Sequence, residues 1–191
     1  EGYAIDGVAP AAVALPDSVE QVSRLLALAN SQGWAVVPWG GGSAMSTGNP
    51  PRRLDLVIST QHMWQVLDYS PDDMTITAQA GVTLLQAQTA MAGRGQMLPL
   101  DPAQPECATL GGILATNASG PLRYQVRMPR DLALGMLVVY PDGTVAKSGG
   151  RVVKNVAGYD LTRLHIGAFG TLGMIVEATF KVTPIPQTQM T

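Results

Sequence analysis

The chain has 191 residues, 12 Lys plus Arg against 14 Asp plus Glu, a formal net charge of -2, and 14% charged against 46% hydrophobic residues. This length suits one substantial core or two small lobes sharing a cleft, and the charge gives no electrostatic reason to expect nucleic acid or an anionic membrane as a partner. The single cysteine, Cys107, excludes an intrachain disulfide and a cysteine-based zinc cluster, and the longest apolar run, residues 132–140, is far shorter than the ~20 residues that span a bilayer. A reducing cytoplasm is the expected location, and the low charged fraction predicts that part of the surface meets a ligand, another domain or another subunit.

In chain order, Pro16-Asp17-Ser18-Val19-Glu20 opens a helix, with Asp17 as the expected cap and Val22, Leu25, Leu26 and Ala29 as its apolar stripe, and Gly33 stops it. A strand over 35–37, a glycine turn, a Pro-rich loop over 49–52 and a second strand over 54–58 complete a small β/α lobe ending near residue 60. The larger second lobe, residues 61–191, alternates in the β sense over 74–78, turns at Gly81 and continues as a helix over 83–91. Residues 134–140, 141–144 and 145–147 read as strand, turn and strand, with Pro141, Asp142 and Gly143 supplying the turn chemistry. Asp160 caps a short helix over 161–166, and residues 174–182 form a last strand before Pro184 and Pro186. The expected class is α+β, with a mainly antiparallel sheet and flanking helices in the second lobe.

Three glycine-rich segments stand out. The run Val36-Val37-Pro38-Trp39-Gly40-Gly41-Gly42-Ser43 delivers a strand into three glycines and a hydroxyl, a pattern that suits either a flexible surface loop or a cradle of bare backbone amides for an anion. In the second, Pro105, Thr109, Gly111 and Gly112 place a helix N-cap before paired glycines, which either expose amides to a ligand or permit tight packing of helix on sheet, and Ser119 and Gly120 follow. In the third, residues 167–175, glycines recur every third position before a strand and include Gly170 and Gly173, with Ile175 beyond them. None of these is a Rossmann fingerprint, which needs its glycines after a strand and before a helix, and Lys147-Ser148 follows Ala146 where a P-loop needs glycine.

Together the three segments resemble the FAD-binding domain of the vanillyl-alcohol oxidase type, the PCMH-type flavin fold, over nearly the whole chain. The resemblance implies a two-lobed architecture and an FAD site. In it, Pro38, Gly40, Gly41, Gly42 and Ser43 hold the pyrophosphate, Pro105, Thr109, Gly111 and Gly112 line the flavin and pyrophosphate side, and Ser119 and Gly120 match the small residues that follow. Gly170, Gly173 and Ile175 approach the adenine or flavin end. Residues 150–161 resemble the 2-hydroxy-acid dehydrogenase branch, and 154–173 are especially similar to the FAD-binding E subunit of bacterial glycolate oxidase. That likeness implies oxidation of a small 2-hydroxy acid, electron transfer to partner subunits, and membrane association only through such partners. A non-catalytic flavin-binding or electron-relay subunit is the alternative. The substrate or cap domain of full-length relatives is not expected within these residues.

Hydroxy-acid oxidation needs a base for the hydroxyl proton and cations for the carboxylate. His62 and His165 are the histidines available, and Arg123, Arg127 and Arg130 lie close in sequence, with Arg130-Asp131 equally readable as an ion pair. Lys154 and Asn155 suit either a ligand cleft or a lobe surface. No catalytic residue and no metal ligand is assigned. The first glycine loop offers no His or Cys for a flavin bond, so the FAD is expected to be non-covalent.

Overall fold

The computed structural model describes residues 2–150 and 159–186. Strand β1 (Ala12–Ala14) leads into helix α1 (Val19–Ser31), and β2 (Val36–Trp39) and β3 (Leu56–Ser59) follow. These form a parallel sheet of order β1-β3-β2, with Val36 opposite Leu56 and Trp39 opposite Ser59. The N-cap of α1 is Ser18, in extended conformation and without a side-chain capping bond. Asp17, the expected cap, lies one residue too early, and its backbone N–H instead donates to Gln21 Oε1 at 3.1 Å.

Next come β4 (Val66–Ser70), β5 (Thr75–Gln79), α2 (Leu84–Ala92) and β6 (Gln96–Met97). Helix α2 opens on a reciprocal capping box, with Gln86 N–H donating to Thr83 Oγ1 at 3.2 Å and Thr83 N–H donating to Gln86 Oε1 at 2.8 Å. The chain continues through α3 (Leu110–Thr116), α4 (Arg123–Val126), α5 (Pro129–Leu132), β7 (Ala133–Val139), β8 (Val145–Gly149), α6 (Leu161–His165), β9 (Met174–Lys181) and β10 (Thr183–Pro184). A five-stranded antiparallel sheet of order β4-β5-β9-β7-β8 forms the centre of this part. Pro184 does not end the β structure: β10 pairs with β6 at the sheet's side, where a proline's missing N–H is tolerated.

One core cluster lies under α2 and α3, with Ile76, Leu98, Leu110, Ile113, Leu114 and Phe180 almost wholly buried. A second joins α1 to both sheets, collecting Val22 and Leu26 from the helix, Leu56 and Ile58 from β3, and Val139, Met174 and Val176 from β7 and β9. Ser23 Oγ ties α1 to the β7–β8 turn by donating to Gly143 O at 2.6 Å. No helix among the described residues is long and apolar enough to cross a membrane.

Helix α6 seats His165 in this frame. Its Nε2 faces Tyr140 Oη at 3.3 Å, and its Nδ1 is buried without a partner. Burial lowers the imidazole pKa from its ordinary 6.5, so the neutral ring is the folded form. Just below that value the unfolded chain binds more protons than the folded one. The contribution of His165 is therefore present at neutral pH and lost as pH falls through about 6.5 toward the lower folded value. Melting curves between about pH 7.5 and 5 should show this loss in the wild type and a flatter dependence in His165→Gln.

Candidate functional site

Strand β2 ends at Trp39, whose carbonyl accepts the last ladder bond from Thr60 N–H at 2.9 Å. Beyond it the chain turns without further strand pairing. Among the described residues, the N–H groups of Gly40, Gly41, Gly42, Ser43 and Ala44 have no protein acceptor. Five consecutive unengaged amides on a turn without bulky side chains form a concave donor set for an anion. Gly42 lies at φ +77, a conformation that a residue with a Cβ adopts only with strain.

Gly40 and Gly41 serve a different need. A Cβ on Gly40 would stand 2.3 Å from Thr109 Oγ1, and one on Gly41 only 1.6 Å from Cys107 O. These glycines let the first turn lie directly on the second segment.

That second segment departs from the expectation of exposed amides. Thr109 caps α3, but its Oγ1 takes the Gly112 N–H at 3.2 Å, while Leu110 N–H donates to Val82 O at 2.8 Å and Gly111 N–H to Ala80 O at 2.9 Å. The helix N-terminus is thus satisfied within the protein. A Cβ on Gly111 would lie 2.7 Å from Ala80 Cβ, so tight helix-to-sheet packing accounts for this glycine.

The third segment closes the opposite wall. Gly167 N–H and Phe169 N–H donate to Leu114 O at 3.0 Å and Ala115 O at 2.8 Å, pinning the turn to the end of α3. Gly170, at φ +73, rests against Pro38, and an added Cβ would meet the proline Cγ at 3.1 Å. The Gly170 and Gly173 amides also lack protein acceptors among the described residues.

Pro38, Gly40, Gly41, Gly42, Ser43, Thr109, Gly111, Gly112, Gly170, Gly173 and Ile175 line one cleft of about 280 Å³. Pro105, Ser119 and Gly120 do not line it. Pro105 O accepts from Leu85 N–H at 3.1 Å, Ser119 Oγ faces Met128 Sδ at 3.5 Å, and a Cβ on Gly120 would fall 2.3 Å from Asp101 Oδ2. They brace the elements behind the wall. Sequence reasoning missed Trp39, Thr60, Ala80, Thr116 and Phe169 as lining residues. Only the two aromatics carried a signal, because each adjoins a glycine of a singled-out segment.

No Asp, Glu, Lys, Arg or His lines the cleft among the described residues. His62 and His165 lie outside it, as do Arg123, Arg127 and Arg130. The Arg123 guanidinium sits over the Tyr124 ring at 5.1 Å, and no ion pair joins Arg130 to Asp131, whose Oδ2 accepts from Met128 N–H at 3.3 Å. Asp160 caps α6 as expected, with Oδ1 accepting from Arg163 N–H at 3.1 Å. Lys154 and Asn155 lie outside the described residues.

The cleft therefore offers neutral donors, hydroxyls and apolar walls. That set fits an uncharged-in-parts ligand carrying a phosphate anion, such as a dinucleotide. A family profile described as "FAD binding domain" matches residues 10–149. The chain belongs to the FAD binding domain family. Its cofactor is FAD, and the open amides of the first turn, where a Cβ at Gly42 would be strained, fit the pyrophosphate of that cofactor.

Three relatives share this FAD binding domain. The glycolate oxidase subunit GlcD of Bacillus subtilis (strain 168) is 36% identical over 182 residues, 95% of this chain and 39% of its own length. A D-2-hydroxyglutarate dehydrogenase of Xanthomonas citri pv. viticola is 38% identical over 177 residues, 93% of this chain and 38% of its own. The glycolate oxidase subunit GlcE of Escherichia coli (strain K12) is 40% identical over 126 residues, 65% of this chain and 36% of its own. The likeness is thus shared between both subunit types. The solved alkyldihydroxyacetonephosphate synthase superposes with a TM-score of 0.79 at 32% identity, over 92% of this chain and 32% of that one, and the fold is the PCMH-type FAD-binding fold. The chain spans about two-fifths of the length of the curated relatives it matches.

The two kinds of glycine are separable by stability. Gly41→Ala drives a methyl into the Cys107 carbonyl and should cost about 2 kcal/mol or more, as overpacking does. Gly112→Ala meets only Thr109 Oγ1, at 3.1 Å, and should stay within about 1 kcal/mol of the wild type. Denaturant titration of the two variants reads the difference.

Proposed function

We propose that this chain is the FAD-holding part of a flavin-dependent dehydrogenase for a small 2-hydroxy acid of the glycolate type. The row of unengaged amides from Gly40 to Ala44 carries the reading, because it is a ready site for the pyrophosphate of a dinucleotide and is walled by the other two glycine segments. The names of the relatives, glycolate oxidase and D-2-hydroxyglutarate dehydrogenase, supply the substrate class.

In this reading Gly40, Gly41, Gly42 and Ser43 bind the pyrophosphate through N–H groups and the Ser43 hydroxyl. Thr109, Gly111 and Gly112 form the wall on one side, and Gly170, Gly173 and Ile175 form the wall on the other. Pro38 fixes the spacing between them through Gly170. Pro105, Ser119 and Gly120 support α3 and the segment after it. FAD held by these residues would supply a two-electron acceptor for the Cα hydride of the hydroxy acid, with the hydroxyl proton going to a base. The wall residues keep water from the ring by packing, and the cleft holds its anion without side-chain cations, so binding should be only weakly salt-dependent. FAD is held without a covalent bond. Electrons pass to a partner subunit, as the subunit names of two relatives suggest.

One observation favours a second reading. The described lining contains no titratable side chain, and so no base for the hydroxyl proton. A flavin-binding subunit that relays electrons without touching substrate is compatible with that lining.

Purified chain reconstituted with FAD should show a visible flavin spectrum whose chromophore acid precipitation releases. Gly42→Val should weaken FAD binding at least about tenfold while leaving the far-UV circular dichroism unchanged. Anaerobic addition of glycolate, lactate or 2-hydroxyglutarate, with its partner subunits present, should bleach the flavin band. FAD binding without bleaching by any of these acids selects the relay reading, and failure to bind FAD removes both.

A further inference from the structure

Phe169 stands apart from everything the cofactor reading has used. Its backbone lies at φ +53, in the left-handed region where a bulky side chain is an outlier and where a turn normally places Gly or Asn. The neighbouring Gly170 is left-handed as well, at φ +73. The strained residue is held firmly. Its N–H donates to Ala115 O at 2.8 Å, and Ala168 O just before it accepts both the N–H and the Oγ1–H of Thr171, at 3.0 and 2.6 Å.

For this strain the fold gains little burial, since Phe169 remains 49% exposed. Its ring contacts no other aromatic ring among the described residues. The residue nevertheless lines the cleft together with the amide turn. The other aromatic of the wall, Trp39, is already engaged. Tyr3 meets it edge-on at 5.1 Å, and its indole would stand 3.1 Å from a Cβ on Gly42, so it shapes the amide turn itself.

The backbone strain persists whatever covers the ring, but burying the ring under a ligand gains apolar contact that offsets it in the bound state. We propose that Phe169 is a stacking platform for one planar ring system of the bound dinucleotide. The inference rests on the FAD reading above, and it adds a binding residue that presents a π face instead of a hydrogen bond. Adenine and isoalloxazine share the required chemistry. ADP and FMN, each carrying one ring system and phosphate, tell them apart.

The test is calorimetric titration of wild type, Phe169→Ala, Phe169→Tyr and Gly42→Val with FAD, ADP and FMN. Phe169→Ala should weaken FAD about tenfold, the loss typical of removing one ring–aromatic stack, and should weaken one of ADP and FMN by a similar factor while sparing the other. Phe169→Tyr, which keeps the ring, should bind FAD within about twofold of wild type. As a sign of the strain, apo Phe169→Gly should melt above apo Phe169→Ala. Unchanged FAD affinity in Phe169→Ala, with binding lost in Gly42→Val, overturns the stacking role and leaves the FAD reading standing. Equal losses of ADP and FMN, or a loss in Phe169→Tyr as large as in Phe169→Ala, would mean a collapsed cleft and also overturn it. If the wild type binds no FAD, the underlying reading fails first.

Discussion

The close approach of the first glycine turn to the backbone at residues 107–109 is the contact on which the rest of the site depends. Gly41 lies so near Cys107 O that no side chain fits between them, and a Cβ on Gly40 would also clash with the Thr109 hydroxyl. Such an approach needs both segments held rigidly from behind. A chain of backbone bonds does this: Thr60 N–H to Trp39 O, Met63 N–H to Thr60 O, Gly81 N–H to Met63 O, and Gly111 N–H to Ala80 O. Ala80 N–H in turn donates to Val176 O in β9. The end of the parallel sheet, the end of β5 and the start of α3 are thus one hydrogen-bonded frame, and the cluster around α1 packs the two sheets together beneath it.

That frame determines which amides remain for a ligand. Along the frame the Leu110, Gly111 and Gly112 N–H groups are taken by Val82 O, Ala80 O and Thr109 Oγ1, and this is why the start of α3, with its paired glycines, leaves these amides no vacancy for a ligand. Where the frame stops, at Trp39, five successive N–H groups are left over. An anion bound there replaces water on donors that are already oriented, so little reorganisation opposes binding. A lysine would attract the same anion more strongly at long range, but it would lose side-chain entropy and add screening by salt. The cleft relies on fixed dipoles instead.

The sequence made local chemistry legible and long-range chemistry illegible. The Asp160 cap and the 141–144 turn each depend on residues within a few positions of one another, and each formed as read. The Asp17 expectation slipped by a single residue: Ser18 takes the N-cap position in extended conformation and makes no side-chain capping bond. By contrast, the pairing of β10 with β6 joins segments far apart in the chain, Thr183 with Met97 and Pro184 with Gln96, and proline had argued against any strand there. At the site, the glycine turn was visible as an amide source, whereas the reason for Gly41 lies in a carbonyl far along the chain. The availability of the α3 amides was unreadable for the same cause, since their acceptors belong to Ala80 and Val82. Pro105, Ser119 and Gly120 lie near lining residues in sequence but outside the lining of the cleft.

A fold shared by proteins named as oxidases, dehydrogenases and a synthase cannot by itself select a reaction. The described cleft explains how one scaffold serves them all. Among the described residues its lining offers main-chain groups, hydroxyls and apolar contacts, and no acid, base or cation. In the proposed reading, proton transfer and carboxylate recognition fall to residues beyond this lining. Such a division lets the substrate side vary without disturbing the frame that positions the flavin. It also places the burden of discrimination within the cofactor site on the few side chains that project from it. Among those in the wall, Phe169 is the one that joins a left-handed backbone to a half-exposed aromatic ring.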